Sequence, residues 1–490
     1  MYSLRNLTLK SFHEGLVAKK FSALEITQAF FHHIKETDKR IGAYLSLNED
    51  GAALAAERVD VALAQGENLG PLAGAPLAVK DNILIKSLPA TAGSKSLENY
   101  IASYSAGVIQ KLKKEKAIFL GKTNLDEFAM GSSTENSGFH ITHNPHDSSR
   151  VPGGSSGGST AAVAAHMAVA ALGSDTGGSV RQPAGFCGVV GLKPTYGAVS
   201  RSGLIAMASS LDQIGPIAKT VEDAALLFKA IAGKDVYDST SAEVSYGDEL
   251  INPKLEDVRN LTIGLPSEYF PKEIDDQVSK MIDKAILDLE TLKIKFKKIS
   301  LPFTKYALPA YYIIMPAEIS ANLARFDGIR YSRIKNYEAN VKNVKEIYFK
   351  QRGDGFGAET KRRVILGAFV LSSGYYDAYY QKAQQVRTLI KKDFEDAFKQ
   401  VDVILAPTSP TPAFKIGERV SDPYEMYMSD IFTIPANLAG LPAVSIPVSE
   451  TLPQAPGDGK LPIAFQLIGK HFREADILGI GQYYERIKKQ

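Results

Sequence analysis

The sequence predicts an α/β fold built as one large domain. Short segments rich in alanine, valine, isoleucine and leucine alternate with longer stretches whose apolar residues recur at helical spacing. This alternation is typical of chains in which strands and helices follow one another. It runs through all 490 residues without an internal repeat or a low-complexity linker. We therefore expect residues 1–490 to form a single domain, although length alone would allow about three.

The individual elements follow from local patterns. The N-terminal stretch predicts an amphipathic helix after a polar start, and the polar stretch 235–260 predicts surface loops. Apolar runs predict buried strands at 71–83 (ending at Lys80), 116–128 (followed there by a turn and the start of a helix), 402–411 and 441–448. Helical spacing predicts helices at 221–233, 277–293 and 375–398.

Composition limits the classes of function. Hydrophobic residues make up 44% and charged residues 23%, and the net charge of +3 is too small for the basic surface that DNA or an anionic membrane requires. The sequence has no run of about 18 uncharged apolar residues and no signal-peptide core. The single cysteine, Cys187, fits a reducing compartment and is expected to be a buried, inert thiol. We therefore expect a cytoplasmic protein, and a bacterial one because no basic, serine-rich leader is present.

The segment "GSDTGGSVRQPA", residues 173–184, places a serine where a fold can present a nucleophile. Ser179 follows two glycines, and an apolar run at 168–172 precedes the segment. A strand, a tight turn and an exposed serine fit this pattern. A serine hydroxyl is a weak nucleophile until a base takes its proton, and the usual base is histidine.

Three of the eight histidines form an H-x-x-H-x-x-H run at His140, His143 and His146. The run matches a zinc site poorly, because Pro145 interrupts any helix and no nearby carboxylate or cysteine completes a known ligand spacing. We expect a solvated loop there and no metal on this chain.

A second serine satisfies the G-x-S-x-G pattern of α/β-hydrolases, in "GGSSG". That interpretation would join Ser155 to an aspartate such as Asp430 and to His471, in the chain order of that class. Such a serine follows a buried strand, yet the residues before Ser155 are polar and include two prolines. The same glycine-rich loop opens a helix and could hold phosphate, but neither common nucleotide-binding pattern is present.

Lysine is the remaining candidate base. Lys80 follows the apolar run "GAPLAV", so its stem is expected to be buried. Burial lowers the pKa of a lysine because desolvation penalises the charged form, and a neutral amine can accept a proton. The alternative is a lysine whose charged end reaches solvent at the end of a strand, and the residues alone do not separate the two.

Three segments in this order, "AVKDN" with Lys80, "PGGSSGGS" with Ser155 and "GSDTGGSVRQPA" with Ser179, resemble the amidase signature family. The resemblance implies a central mixed β-sheet covered by helices on both faces. It places a signature core at about 70–220 and a helical substrate-pocket region at about 275–400. It also implies a relay in which Ser155, behind a cis peptide bond, passes a proton between the nucleophile Ser179 and neutral Lys80.

Acyl transfer places negative charge on the carbonyl oxygen of the substrate, and backbone N–H groups can hold that charge. We expect the N–H groups of Thr176, Gly177 and Gly178 to form such an oxyanion hole. A plain glycine turn is the alternative that the sequence leaves open.

Further segments extend the resemblance over nearly the whole chain, among them "NLDEFAMGSSTENS", "KRRVILGAFVLSSGYYDAYY" and "NLAGLPAVSIPV". They are similar to the glutamine-hydrolysing subunits of tRNA-dependent amidotransferases. This similarity implies that Arg363 binds the α-carboxylate of glutamine, Asp430 its ammonium group, and Tyr311 a further polar group. Residues 333–352 form an insertion in which we expect family members to vary in length.

The same resemblance implies that the chain carries no cofactor and works in a heterotrimer with partner B and C subunits. The chain would release ammonia from glutamine. A partner, using ATP and Mg²⁺, would then convert a glutamyl or aspartyl group on mischarged tRNA to its amide. We expect tRNA to contact mainly that partner, because this chain is nearly neutral. Two alternatives remain, a stand-alone amidase for another small amide and a non-catalytic scaffold protein.

Overall fold

The computed structural model describes residues 3–331, 341–448 and 461–488. Its strands are β1 (Tyr44–Leu47), β2 (Pro76–Lys80), β3 (Ile118–Thr123), β4 (Ala170–Asp175), β5 (Val190–Lys193), β6 (Gln213–Ala218), β7 (Thr262–Pro266), β8 (Lys295–Ile299), β9 (Val403–Pro407), β10 (Ala443–Pro447) and β11 (Ala464–Gly469). Its α-helices are α1 (Leu9–Val17), α2 (Ala23–Ile41), α3 (Glu49–Ala64), α4 (Gly107–Lys114), α5 (Gly157–Ala164), α6 (Arg181–Cys187), α7 (Val221–Ile231), α8 (Leu255–Arg259), α9 (Asp276–Glu290), α10 (Ala307–Asn322), α11 (Val344–Gly355), α12 (Ala358–Val370), α13 (Lys382–Ala397), α14 (Pro423–Met428), α15 (Ile434–Leu438) and α16 (Glu474–Lys488). No helix in these ranges has the length and apolar character needed to cross a membrane.

The described strands join into one mixed sheet of eleven, in the order β1-β3-β2-β4-β6-β5-β10-β11-β9-β7-β8. Near one end β2 lies parallel between β3 and β4, and near the other β7 lies parallel between β9 and β8. The strands from β4 to β9 along this order pair antiparallel. The predicted single-domain α/β class with a central mixed sheet is therefore confirmed. The subdivision into a core at 70–220 and a pocket region at 275–400 stays a prediction.

The parallel strands β2, β3 and β4 are buried along their whole length, as expected for strands covered on both faces. Val79 of β2 pairs with Leu172 of β4. Because parallel strands end at the same edge of a sheet, this register brings Lys80 close to the segment that leads to Ser179.

Two helices of the region at 275–400 pack unusually closely. A side chain at Gly367 of α12 would overlap the carbonyl oxygen of Pro316 in α10, so only glycine permits this approach. The contact fixes the two helices that carry Tyr311 and Arg363 relative to each other.

Some local predictions need correction. The helix expected to start after β3 is only a 3₁₀ turn at Glu127–Ala129. The stretch 235–260 contains the short helix α8, and the helical region contains one strand, β8. Residues 333–340 of the expected insertion lie outside the described residues. The predicted helix at 375–398 begins as a π-helical turn at Tyr376–Gln381 before α13.

Candidate active site

Lys80, the last residue of β2, is fully buried. Its Nζ lies within hydrogen-bond distance of the Oγ atoms of Ser155 at 2.8 Å, Ser156 at 2.9 Å and Ser174 at 3.0 Å. Within the described ranges no carboxylate forms an ion pair with this amine. The structure therefore decides between the two interpretations of Lys80, because its amine ends among serine hydroxyls and not in solvent.

Burial lowers the pKa of Lys80 from 10.5 to about 7, although the negative charges of Asp126, Asp175 and Asp212 partly raise it. A substantial fraction of the amine is then neutral at neutral pH. This is the condition that a lysine must meet before it can act as a general base.

Ser155 stands between Lys80 and the loop of Ser179. The Gly154–Ser155 peptide bond is cis, as the family resemblance implies, and α5 begins two residues later. The Ser156 N–H donates to the carbonyl oxygen of Ser179 at 3.1 Å, which holds the two loops together. In the described structure the Ser155 and Ser179 hydroxyls are not hydrogen-bonded to each other, so the predicted relay would need a side-chain rotation or bound substrate to close.

The turn that carries Ser179 is folded around one carboxylate. Asp175, at the end of β4, accepts hydrogen bonds from the N–H groups of Gly178 at 2.9 Å and Val180 at 3.2 Å. Arg181 adds a buried ion pair to the same carboxylate, with its Nε 3.1 Å from Asp175 Oδ2. Burial alone would raise the pKa of Asp175, but Arg181 holds it at about 2. The carboxylate therefore stays charged and keeps the turn closed.

The predicted oxyanion hole needs one correction. The Gly178 N–H is already engaged by Asp175, whereas the N–H groups of Thr176 and Gly177 have no backbone or side-chain acceptor among the described residues. The Thr176 hydroxyl donates to Asp212 Oδ1 at 2.7 Å and so anchors the start of the turn. The geometry favours Thr176 and Gly177 as the free donors.

Two of the three predicted substrate residues, Tyr311 and Asp430, lie against this turn, and the charge of Arg363 acts on both of them. Tyr311, Arg363 and Asp430 are all buried. A Cβ atom at Gly177 would lie 2.6 Å from Tyr311 Oη, and one at Gly178 would lie 3.1 Å from Asp430 Oδ1. The two glycines therefore allow the tyrosine and the aspartate to lie directly against the turn that carries Ser179.

Asp430 has one oxygen satisfied and one free. Its Oδ2 accepts a hydrogen bond from Ser132 Oγ at 2.5 Å, whereas its Oδ1 has no partner in the described structure. Burial raises the pKa of Asp430 to about 7. A buried carboxylate oxygen without a partner is costly, and a bound cation or ammonium group would satisfy it.

Only one residue of the Arg362–Arg363 pair points inward. The side chain of Arg362 is 44% exposed and that of Arg363 only 3%. Burial by itself lowers the pKa of Arg363, but Glu359 and the neighbouring tyrosines together outweigh it and raise the pKa, so the guanidinium stays charged.

The histidines take no part in this centre. His471 Nε2 is paired with the carbonyl oxygen of Ala439 at 3.1 Å, while Ser155 is paired with Lys80 and Asp430 with Ser132. The α/β-hydrolase triad of Ser155, Asp430 and His471 therefore does not form.

The histidine run is held by the backbone. Its ring nitrogens pair with separate carbonyl oxygens, His140 with Gly42 at 3.2 Å, His143 with Ser148 at 2.7 Å and His146 with Cys187 at 2.8 Å. In the described part of the chain, no three histidine, cysteine or acidic side chains are grouped to hold a metal ion. The Cys187 thiol is buried, and burial raises its pKa to about 12, which fits an inert thiol.

Sequence reasoning missed the supporting residues. Asp175 and Arg181 flank Ser179 within one short motif, and two opposite charges directly after an apolar run are a detectable signal of a buried ion pair. Ser132 and Asp212 carry no such local signal, because each reaches the site from a distant part of the chain.

Comparison with known proteins places this geometry in a family. The Amidase family model matches residues 25–478. The A subunit of glutamyl-tRNA(Gln) amidotransferase from Carboxydothermus hydrogenoformans is 56% identical over 98% of this chain and 97% of that protein. The A subunit of the same name from Geobacillus thermodenitrificans is 51% identical over 99% of this chain and 98% of its own length.

Solved structures of related enzymes have the same fold as this chain. The A subunit of glutamyl-tRNA(Gln) amidotransferase from Thermotoga maritima superposes with a TM-score of 0.78 at 41% identity, covering 98% of this chain and 94% of that one. A peptide amidase from Stenotrophomonas maltophilia gives a TM-score of 0.81 at 28% identity, over 99% and 97% of the two chains. The protein therefore belongs to the amidase signature family, within which amidotransferase A subunits share about half of its residues.

Proposed function

We propose that the chain is the glutaminase subunit of a glutamyl-tRNA(Gln) amidotransferase, using a Ser179–Ser155–Lys80 relay. The observation that carries the proposal is the buried Lys80 amine, 2.8 Å from Ser155 Oγ, beside the turn that presents Ser179. The relatives named as amidotransferase A subunits support glutamine as the amide donor.

In the first half-reaction, Ser179 Oγ attacks the side-chain amide carbon of glutamine while its proton passes through Ser155 to neutral Lys80. The N–H groups of Thr176 and Gly177 stabilise the negative oxygen of the tetrahedral intermediate, each by about 3 kcal/mol. The proton then returns through Ser155 to the leaving nitrogen, and ammonia departs from a glutamyl ester on Ser179.

In the second half-reaction, water replaces ammonia. Lys80 accepts the proton of the water through Ser155, and the ester is cleaved to glutamate with Ser179 regenerated. Because the same groups act in both directions, one relay suffices for acylation and deacylation.

Substrate choice rests on charge. The Arg363 guanidinium can bind the α-carboxylate of glutamine, and the free Oδ1 of Asp430 can bind its ammonium group. The Tyr311 hydroxyl, next to Gly177, lies where it can bond to the substrate backbone. Together these groups would favour a free amino acid over a neutral amide.

The remaining chemistry belongs to the partner B and C subunits in our proposal. They would use ATP and Mg²⁺ to activate the glutamyl (or aspartyl) group of mischarged tRNA, which this nearly neutral chain would contact little. Ammonia would pass from this site to the partner without meeting bulk water. We place the complex in the bacterial cytoplasm, and this chain carries no cofactor in the proposal.

Glutamine hydrolysis is expected to rise with pH through about 7, because two groups must lose a proton. Lys80, with its lowered pKa, accepts a proton only when neutral, and Asp430, with its raised pKa, binds ammonium only when ionised. Below about pH 6, log kcat/KM for glutamine should therefore change by about 2 per pH unit. For glutaric acid monoamide, which lacks the ammonium group, the change should be about 1. A flat profile would contradict Lys80 as the base, and equal slopes would remove Asp430 from the ammonium site.

The identity of the substrate is tested by matched deletions. We expect Arg363→Gln in the complex with the B and C subunits to lower kcat/KM for glutamine by roughly a hundredfold, because the α-carboxylate of glutamine then loses its charged partner. The same variant should change hydrolysis of 4-aminobutanamide, which is glutamine without its carboxylate, by less than about threefold. Asp430→Asn should likewise lower kcat/KM for glutamine, and it should leave hydrolysis of glutaric acid monoamide, which lacks the ammonium group, nearly unchanged.

The control is Arg473→Gln, since Arg473 is 60% exposed and pairs only with Asp476 on the surface in the described structure. It should leave both substrates unchanged. A wild-type complex that hydrolyses neutral amides as well as glutamine, with no effect of Arg363 or Asp430, would instead support a stand-alone amidase.

A further inference from the structure

Glu359 lies one helical turn before Arg363 on α12 and contacts three groups around the proposed substrate site. Its Oε1 accepts hydrogen bonds from Arg363 Nε at 2.7 Å and from the Tyr427 hydroxyl at 3.0 Å. Its Oε2 is bonded to Arg362. Only 10% of the side chain is exposed, so the carboxylate lies mostly in the protein interior.

These contacts fix one edge of the Arg363 guanidinium and leave the other edge open. The Nε edge is taken by Glu359, while among the described residues Nη1 meets only the Met315 sulfur at 3.5 Å, a weak acceptor. The guanidinium carbon lies 5.5 Å from the ring centre of Tyr312 and 5.6 Å from that of Tyr427. The two rings stack at 3.8 Å, and the guanidinium lies beside both of them.

Arg363 and Glu359 also border a cavity. A cavity of about 110 Å³ is lined by Arg363, Glu359 and Tyr427 together with Gly131 and Ser133. Gly131 and Ser133 flank Ser132, the residue that binds Asp430. The cavity therefore borders both Arg363 and the residues on either side of Ser132.

We propose that Glu359 is a positioning residue for substrate specificity, which anchors Arg363 so that its terminal nitrogens meet the α-carboxylate of glutamine in a fixed plane. The inference rests on the proposed glutaminase function. A free arginine side chain samples many rotamers, and a bidentate bond to a carboxylate requires one of them. By accepting a hydrogen bond from Nε, Glu359 restricts the rotamers of Arg363 and leaves free the terminal nitrogens that the substrate needs.

Charge balance supports this role. Burial alone would raise the pKa of Glu359, but Arg363 outweighs it and lowers the pKa, so the carboxylate is ionised when it binds the arginine. Glu359 pairs with both Arg362 and Arg363, so its single negative charge does not fully cancel the positive charge of Arg363. A net positive site remains for the substrate carboxylate.

The test uses Glu359→Gln in the complete complex, with glutamine and 4-aminobutanamide as substrates. We expect KM for glutamine to rise at least tenfold with kcat within threefold, and kcat/KM for 4-aminobutanamide to stay within twofold. Glu359→Asp should recover part of the glutamine affinity. The matched control is Glu395→Gln, since Glu395 forms an exposed ion pair with Lys391 at the same four-residue spacing on α13.

A second variant covers the case in which Glu359→Gln does not fold. Tyr427→Phe keeps the stacked ring and removes only the hydroxyl that donates a hydrogen bond to Glu359. It should raise KM for glutamine twofold to fivefold and leave 4-aminobutanamide unaffected. An unchanged KM in both variants, or an equal loss on both substrates, would overturn the positioning role. A wild-type complex that releases no ammonia from glutamine would instead overturn the proposed function itself.

Discussion

Replacing Ser179 by alanine is expected to lower glutamine hydrolysis by at least about a thousandfold, because the variant has no atom that can form the glutamyl ester. Lys80→Ala should cost about as much, since Ser155 then has no proton acceptor in a buried site. The measurement is ammonia release from glutamine by the complex with the B and C subunits. The double variant should be little worse than either single one, because the groups act as a unit.

Two controls make this result specific. His471→Ala should stay near the wild-type rate, because His471 bonds to Ala439 and not to Ser155. Ammonium chloride should restore amidation of the tRNA by the Ser179→Ala complex, since in our proposal the partner consumes ammonia and not the ester. If His471→Ala were the inactive variant, the Ser155–Asp430–His471 interpretation would return. If Ser179→Ala kept full glutamine-dependent activity, the chain would be a scaffold.

The positions of Lys80 and Ser179 were predictable because each lies in a short contiguous segment with a recognisable pattern. Lys80 closes a strand, and Ser179 follows another, so parallel pairing of β2 and β4 brings them to one edge. Tyr311, Arg363 and Asp430 come from three separate elements, and only the family resemblance connected them in advance. The structure places them within one buried site, although their proposed contacts with glutamine stay a prediction.

The rest depended on contacts that no local pattern encodes. The Gly178 N–H was expected to be a free oxyanion donor, but Asp175 captures it because the chain turns sharply after β4. Glu359 stands at helical spacing from both Arg362 and Arg363, and this spacing alone does not show that its side chain is only 10% exposed and binds both arginines. The helix expected after β3 is reduced to a 3₁₀ turn, in which Phe128 adopts a positive φ of 49° that a helix cannot accept.

The second large effect concerns the ion pair beneath the nucleophile turn. The Arg181 side chain is fully buried and donates to the Asp175 carboxylate, to Gln466 Oε1 at 2.9 Å, to Asn437 Oδ1 at 2.5 Å and to the Thr433 carbonyl oxygen at 3.0 Å. Arg181→Leu would leave the Gln466, Asn437 and Thr433 oxygens without this donor and the buried Asp175 carboxylate without its countercharge. We expect it to lower the free energy of unfolding by about 3–5 kcal/mol, measured as a shift in the denaturant midpoint.

The comparison variant is Arg473→Leu, which breaks an exposed pair with Asp476 and should cost less than about 1 kcal/mol. Adding Asp175→Asn to Arg181→Leu should recover part of the loss, because the uncompensated charge causes much of it. If instead Arg181→Leu were no more destabilising than Arg473→Leu, the acceptors would have found other partners. The turn that carries Ser179 would then owe its shape to its glycines and not to the buried charge pair.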